Sequence, residues 1–250
     1  FGKALTVENG EARKNAINIV VEPSMKTDAY DLTVEKNAVN IKGGSSKAVF
    51  YAMQSLRQMM PVGVEKGEKM DRIRIQNVQV QDEPRLGYRG TMLDVCRHFF
   101  TVDEVKTFID MLALHKLSVF HWHLTENQSW RLESKIFPML NDSANTTRMP
   151  GKYYTQAEAK ELVAFCKAHG MLLIPEIDMP GHSAAFMRTF RHDMQSPEGM
   201  KILKLLVEEV CETFDVPYLH IGTDEVKITN PQFVPEMVAF IRALGKKAIS

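Results

Sequence analysis

Tyr218-Leu-His-Ile-Gly-Thr-Asp-Glu-Val226 is the stretch that decides how this chain is read. The apolar and aromatic residues around His220 spell a short buried strand, and Gly222 breaks it. Two adjacent carboxylates, Asp224 and Glu225, follow at once. Alone, such a pair reads equally well as a solvated acidic turn before the next helix. In a parallel α/β protein, however, the carboxyl ends of strands are where loops carry chemistry. The other strand ends therefore decide the matter.

From Tyr88 onward the pattern is strand, loop, helix, repeated. Arg89–Val95 reads as a strand. The helix Thr101–His115 follows, with Val102, Val105, Phe108, Ile109 and Leu112 on one face and Thr101 with Glu104 as a capping box. Lys116–Leu124 is a second strand. A polar loop, Asn141–Gly151, leads to Thr155, which caps a helix ending at His169-Gly170. Met171–Asp178 is a third strand and Pro197–Phe214 a further helix. The opening stretch is the fourth strand, Pro235–Leu244 is helical, and Lys247–Ser250 starts a fifth strand. Such alternation implies a parallel sheet with right-handed crossovers. A complete (β/α)8 barrel occupies roughly 200 to 250 residues, more than residues 89–250 supply. The expected fold class is α/β: the front part of a (β/α)8 TIM barrel whose remainder is missing, in preference to an open sheet.

Residues 1–87 read as a separate small α/β domain, leaving 88–250 for the barrel portion. Ala16–Val21, Tyr30–Glu35, Ala38–Ile41 and Ile73–Val80 have strand character. Ser45 or Ser46 is placed to cap a helix over Lys47–Met60, with a stripe of Val49, Phe50, Met53, Leu56 and Met60. Asp82–Gly87 reads as a linker, and no catalytic group assembles before it.

With 31 basic and 31 acidic residues among 250, the chain has no net field to recruit nucleic acid or an anionic membrane. No apolar run approaches the roughly 20 residues needed to span a bilayer. The amino terminus, Phe1-Gly-Lys-Ala-Leu5, lacks the pattern of a signal peptide. Cys96, Cys166 and Cys211 are odd in number and far apart, which indicates neither a disulfide framework nor a zinc site, and Cys166 and Cys211, in helical patterns, read as core thiols.

The strand ends are uniformly polar. The first runs into Asp94, Arg97 and His98. The second ends in His121-Trp-His123 and Thr125-Glu-Asn-Gln-Ser-Trp130, the third in Glu176-Ile-Asp178 and Pro180-Gly-His182, and the fourth in His220, Asp224 and Glu225. Four successive ends loaded with such groups are costly to bury and read together as a polar pocket.

Arg89-Gly with Asp94-Val-Cys-Arg-His-Phe99, His121-Trp-His-Leu-Thr-Glu-Asn-Gln128, Pro175-Glu-Ile-Asp-Met-Pro-Gly-His182 and His220-Ile-Gly-Thr-Asp-Glu-Val226 resemble, in order, glycoside hydrolase family 20, the β-N-acetylhexosaminidases. The first 85 or so residues resemble the small domain that precedes the barrel in that family. The resemblance implies substrate-assisted, retaining hydrolysis of terminal N-acetylglucosamine or N-acetylgalactosamine from glycans, without cofactor or metal. Glu225 is then the general acid, its pKa raised by a partly apolar site. Asp224 accepts the substrate's acetamido N–H and orients that group's oxygen towards C1. Arg89 forks onto the sugar's outer hydroxyls, or else pairs with Asp94. His182 contacts Glu225 or the sugar, Glu126 fixes the His182 tautomer, and Asp178 organises the loop. His123, Glu176 and His220 are supporting polar residues, and Trp122 packs on the opposite face.

The chain departs from the family where Glu126 and Asn127 replace two aspartates and where Thr223 replaces a second glycine. The resemblance places further pocket residues on later strands, so the 250-residue chain is expected to have little activity alone. It also implies a secreted, periplasmic or cell-surface location. Asn127, Asn141 and Asn145 begin Asn-x-Ser/Thr triplets. Three rival readings stand beside this one. They are a metal-dependent TIM-barrel hydrolase using His121, His123, His182, His220 and Asp224, an ordinary retaining glycosidase with Glu176 as nucleophile, and a catalytically inactive sugar-binding relative.

Overall fold

A computed structural model describes residues 5–250; the reading of the amino terminus falls largely on residues 1–4, outside the described residues. The chain divides into two compact units, Phe1–Arg89 with Leu112–Lys116, and Gly90–Met111 with Leu117–Ser250.

The first unit is a four-stranded sheet covered by a helix. Its elements run β1 (Ile17–Val21), β2 (Tyr30–Glu35), β3 (Ala38–Gly43), α1 (Ser46–Gln58), the short α2 (Val62–Glu65) and β4 (Val78–Asp82). The strand order is β1-β3-β2-β4, with β1 parallel to β3 and β2 antiparallel to both its neighbours. Alternation along β2 sends Tyr30, Leu32 and Val34 into the core, where they meet Ala48, Tyr51, Ala52 and Leu56 of α1. The expected stripe of Val49, Phe50, Met53 and Met60 flanks that core; the alanines face the sheet and let the helix lie close to it. Ser45, not Ser46, is the cap, its hydroxyl accepting the Ala48 N–H at 3.2 Å. β4 is shorter than expected and begins only at Val78, because pairing from Tyr30↔Asp82 to Val34↔Val78 uses nearly all of β2. Arg89 belongs to this unit. Its guanidinium lies over the Tyr51 ring at 5.3 Å.

The second unit carries five parallel strands in the order β5-β6-β7-β8-β9. In chain order the elements are β5 (Gly90–Asp94), α3 (Val102–Leu114), β6 (Val119–His123), α4 (Gln156–Ala168), β7 (Leu172–Glu176), α5 (Ala184–Phe190), α6 (Pro197–Thr213), β8 (Tyr218–His220), α7 (Phe233–Ala243) and β9 (Lys247–Ile249). This is the succession of the front part of a (β/α)8 barrel. Helix starts are written in the sequence: Thr101 with Glu104 and Thr155 with Glu158 form reciprocal capping boxes, and Ser196 precedes Pro197 at the first position of α6. α7 begins before Pro235, which is tolerated in a first turn that needs no N–H there. The seven-residue α5 has no apolar repeat long enough to announce it. On the helix-facing side of the sheet, Trp122 is fully buried against Phe120, Tyr154 and Phe214.

Removing the α4 cap by Thr155→Ala is expected to cost about 1 kcal/mol of stability in urea or thermal unfolding, with Thr155→Ser close to wild type. Equal stability of all three proteins contradicts the assignment.

Candidate active site

The parallel register aligns one residue from each of four strands. Asp94 pairs with His123, His123 with Glu176, and Glu176 with His220. Neighbours in register point to the same face, so these side chains form one polar row at the carboxyl ends of β5 to β8. His121, two residues before His123, joins the same face.

Glu176 is the centre of the row. Its Oε2 lies 2.6 Å from His121 Nε2 and 3.0 Å from His123 Nδ1, and its Oε1 lies 3.5 Å from His220 Nδ1. The first two imidazole nitrogens approach the carboxylate off the hydrogen-bond line. Burial pushes the Glu176 carboxyl up, but the three imidazoles outweigh it and hold the group well below the usual carboxylate range. Burial likewise pushes His123 down, and Glu176 more than reverses it, leaving His123 raised. Glu176 is therefore an enclosed anion whose Oε2 is crowded by two imidazoles.

The metal reading meets a related obstacle. His121 and His123 do face one way, and three groups among the described residues are close enough to share an ion: His121/Glu176/His220, His123/Glu176/Asp178 and Asp178/His182/Asp224. In the first of these, His220 Nδ1 accepts the Gly222 N–H at 3.1 Å, so its lone pair is already used. The histidines on β6 serve as partners of a carboxylate.

Beyond β8 the backbone turns left-handed, with Gly222 at φ +62°, Thr223 at +84° and Glu225 at +52°. Only glycine adopts such angles freely; for β-branched Thr223 the cost is real. Asp178 holds this turn. Its Oδ1 accepts the Thr223 N–H at 3.3 Å and would lie 1.9 Å from any Cβ added to Gly222. Its own N–H donates to Thr125 Oγ1 at 2.9 Å. Burial, then the charges of Glu176 and Asp224, raise the Asp178 carboxyl to about 6, against the pull of Thr223 N–H and His182.

His182 joins the pieces. Its Nδ1 rests against Oε1 of the fully buried Glu126, off the hydrogen-bond line like the two β6 imidazoles, and its Nε2 stands 3.5 Å from Glu225 Oε2. One of its ring nitrogens also falls within 4.8 Å of carboxylate oxygens of Asp178 and Asp224. Both carboxylates of the pair therefore converge on one imidazole. Gly181 makes this approach possible, since a Cβ there would stand 2.9 Å from the Asp224 carbonyl oxygen. Glu225 itself is 78% exposed, so apolar burial does not enclose it as expected.

Arg89 is a correction. Its Nε donates to the Lys116 carbonyl, Nη1 to that of Leu86 and Nη2 to the Tyr51 hydroxyl. It precedes β5, whereas the site gathers at the other end of the strands. The guanidinium found there is Arg97, with Nη1 2.5 Å from Asp94 Oδ2, Nη2 against Glu126 Oε1 and 47% of its side chain exposed. Its position after the first strand was the available signal. Arg131 was missed altogether. Fully buried, it donates to the carbonyls of Val95, Cys96, Arg148, Met149 and Lys152, tying the Arg97 loop to the polar loop after β6. Two triplet asparagines have structural work too: Asn141 Nδ2 donates to the Leu132 carbonyl and Asn145 Nδ2 to that of Met139.

Gly222→Ala is expected to destabilise the chain by more than about 1 kcal/mol, and Thr223→Gly to stabilise it by up to about 1 kcal/mol, in urea unfolding. The opposite signs contradict a left-handed turn. A carboxyl raised from 3.8 to about 6 favours the folded state below the lower value and loses that contribution as pH rises through the upper one. The stability of wild type relative to Asp178→Asn is therefore expected to fall between about pH 4 and about pH 7; a flat difference contradicts the assignment.

The profile of Glycosyl hydrolase family 20, domain 2 matches residues 2–83, and that of Glycosyl hydrolase family 20, catalytic domain matches residues 86–196. The beta-hexosaminidase of Porphyromonas gingivalis is 36% identical over 253 residues, covering 89% of this chain and 32% of the relative. Among solved structures, the GH20 beta-N-acetylhexosaminidase from Streptomyces coelicolor superimposes with a TM-score of 0.86 at 28% identity, over 95% of this chain and 54% of that one. A mutant Streptomyces plicatus beta-hexosaminidase in complex with product (GlcNAc) gives 0.84 at 28% identity, over 93% and 52%. The chain thus spans about a third of that curated relative and about half of the solved chains. With both of its units matched in order, the chain belongs to glycosyl hydrolase family 20.

Proposed function

We propose that the protein carrying this chain removes terminal N-acetylhexosamine residues from glycans by retaining hydrolysis, with the substrate's own 2-acetamido oxygen as nucleophile. The observation that carries this reading is the convergence of Asp224 and Glu225 on His182, beside a buried Glu176 whose Oε2 faces His121 and His123. Such a pair of carboxylates fits the substrate-assisted exception to two-carboxylate hydrolysis. The GlcNAc held by the Streptomyces plicatus relative supports the sugar class.

In this reading Glu225 protonates the leaving glycosidic oxygen and later takes a proton from water. His182, oriented by Glu126, stands 3.5 Å away and tracks that change of charge. Asp224 accepts the acetamido N–H, aligning the carbonyl oxygen behind C1 and offsetting the positive charge of the oxazolinium that forms. Arg97, pinned by Asp94 and Glu126, takes the role expected of Arg89 and offers its remaining donors to sugar hydroxyls. The reading extends to location: exposed glycan ends suit a secreted, periplasmic or cell-surface protein.

In the complete protein, Asp224→Ala is expected to lower kcat/KM on an aryl N-acetylglucosaminide by roughly 10²–10³. Glu225→Gln is expected to be impaired most with poor leaving groups and least with a dinitrophenyl one, which leaves without a proton. Equal cleavage of N-acetylated and deacetylated substrates by wild type contradicts acetamido participation.

A further inference from the structure

Two side chains outside the proposed chemistry join the loop that carries Glu126 to the segment that carries His182. His182 sits at φ +48°, and α5 begins two residues later without a cap from Ser183. A helix of seven residues is too short to be stable alone, so tertiary contacts fix where it lies. The exposed Asn127 supplies one such contact, its Oδ1 accepting the Ala184 N–H at 3.2 Å. One turn on, Arg188 supplies the other. Its Nη2 donates to the carbonyls of Asn127 and Asn145, both at 2.8 Å, with Gln128 at 3.5 Å, and its Nε donates to that of Asn145. Asn127 is therefore gripped by α5 at both its side-chain oxygen and its carbonyl, one residue from Glu126.

We propose that Asn127 and Arg188 are positioning residues that lock the start of α5 onto the Glu126 loop and thereby hold the His182 imidazole in one tautomer and one direction. The mechanics follow from the chain. Glu126 and His182 lie on different loops, after β6 and β7, and neither strand fixes how far those loops travel. Arg188 reads the backbone of the first loop and of the turn at Asn145 with a rigid planar fork, which a lysine does not reproduce. Asn127 keeps an acceptor aimed at α5 where the family's commoner aspartate also has one. A shift of about 1 Å between the two loops separates Nδ1 from Glu126 and frees the ring to exchange tautomers.

The test compares wild type with Arg188→Met, Asn127→Ala and Asn127→Asp. Long-range ¹H–¹⁵N spectra of the chain without ligand read the His182 tautomer, and kcat and KM on an aryl N-acetylglucosaminide are measured in the complete protein. Wild type is expected to show the proton on Nδ1. Arg188→Met and Asn127→Ala are expected to show averaged ring shifts and about tenfold lower kcat with little change in KM, and Asn127→Asp to return to wild type. Should Arg188→Met fail to fold, the exposed Asn127 carries the comparison. Retention of the wild-type tautomer in both disruptive variants overturns the proposal. The kinetic arm rests on the proposed hydrolysis, whereas the spectra do not: lost tautomer order in a protein without N-acetylhexosaminidase activity upholds the lock and removes the reaction.

Discussion

Everything at the carboxyl ends of these strands depends on how one buried carboxylate meets one backbone turn. Asp178 lies under Gly222 and accepts the Thr223 N–H, and the turn it holds presents Asp224 and Glu225 side by side. Without a side chain at residue 222 the two segments close to contact; with one they cannot. The left-handed angles at 222, 223 and 225 are conformations the chain does not keep unless its surroundings over-determine them. Those surroundings are the Asp178 carboxylate, the His220 ring nitrogen that accepts the Gly222 N–H, and the close approach of Gly181 to Asp224.

The charges beneath the turn are arranged so that burial is tolerable. A carboxylate taken out of water is stable only with partners, and Glu176 has three imidazoles around it. Burial, and after it the anion fixed at Glu176, raise Asp178, while the imidazoles keep Glu176 depressed. The cations follow a different rule. Arg131 and Arg188 are satisfied by main-chain carbonyls, so each fixes loop backbone. Arg97, by contrast with these two, pairs with carboxylates, those of Asp94 and Glu126.

Much of this was legible because parallel strands write their carboxyl ends into the sequence. Alternation separated His121 and His123 from Trp122, and capping residues marked α3 and α4. What escaped had no local signature. Arg89 and Arg97 are chemically alike, and the one signal that separates them is their position before and after β5. The α5 helix is too short for a repeat, and its cap comes from Asn127, 57 residues away. The extent of β4 was set by the length of its partner β2, which no window on residues 73–80 contains. Thr223 stood out as a departure from the family's glycine, but its φ of +84° is a property of the turn and not of the residue.

The central claim is that Asp178 holds a turn which aims Asp224 at an acetamido nitrogen and Glu225 at a leaving oxygen. A crystal structure of the complete protein with a stable bicyclic analogue of the oxazolinium tests it most directly. The account predicts an Asp224 oxygen within about 3 Å of the ring nitrogen, with Glu225 on the leaving-group side and Asp178 still bonded to the Thr223 N–H. An analogue bound away from this turn, or contacted through Glu176 at its reacting carbon, contradicts it.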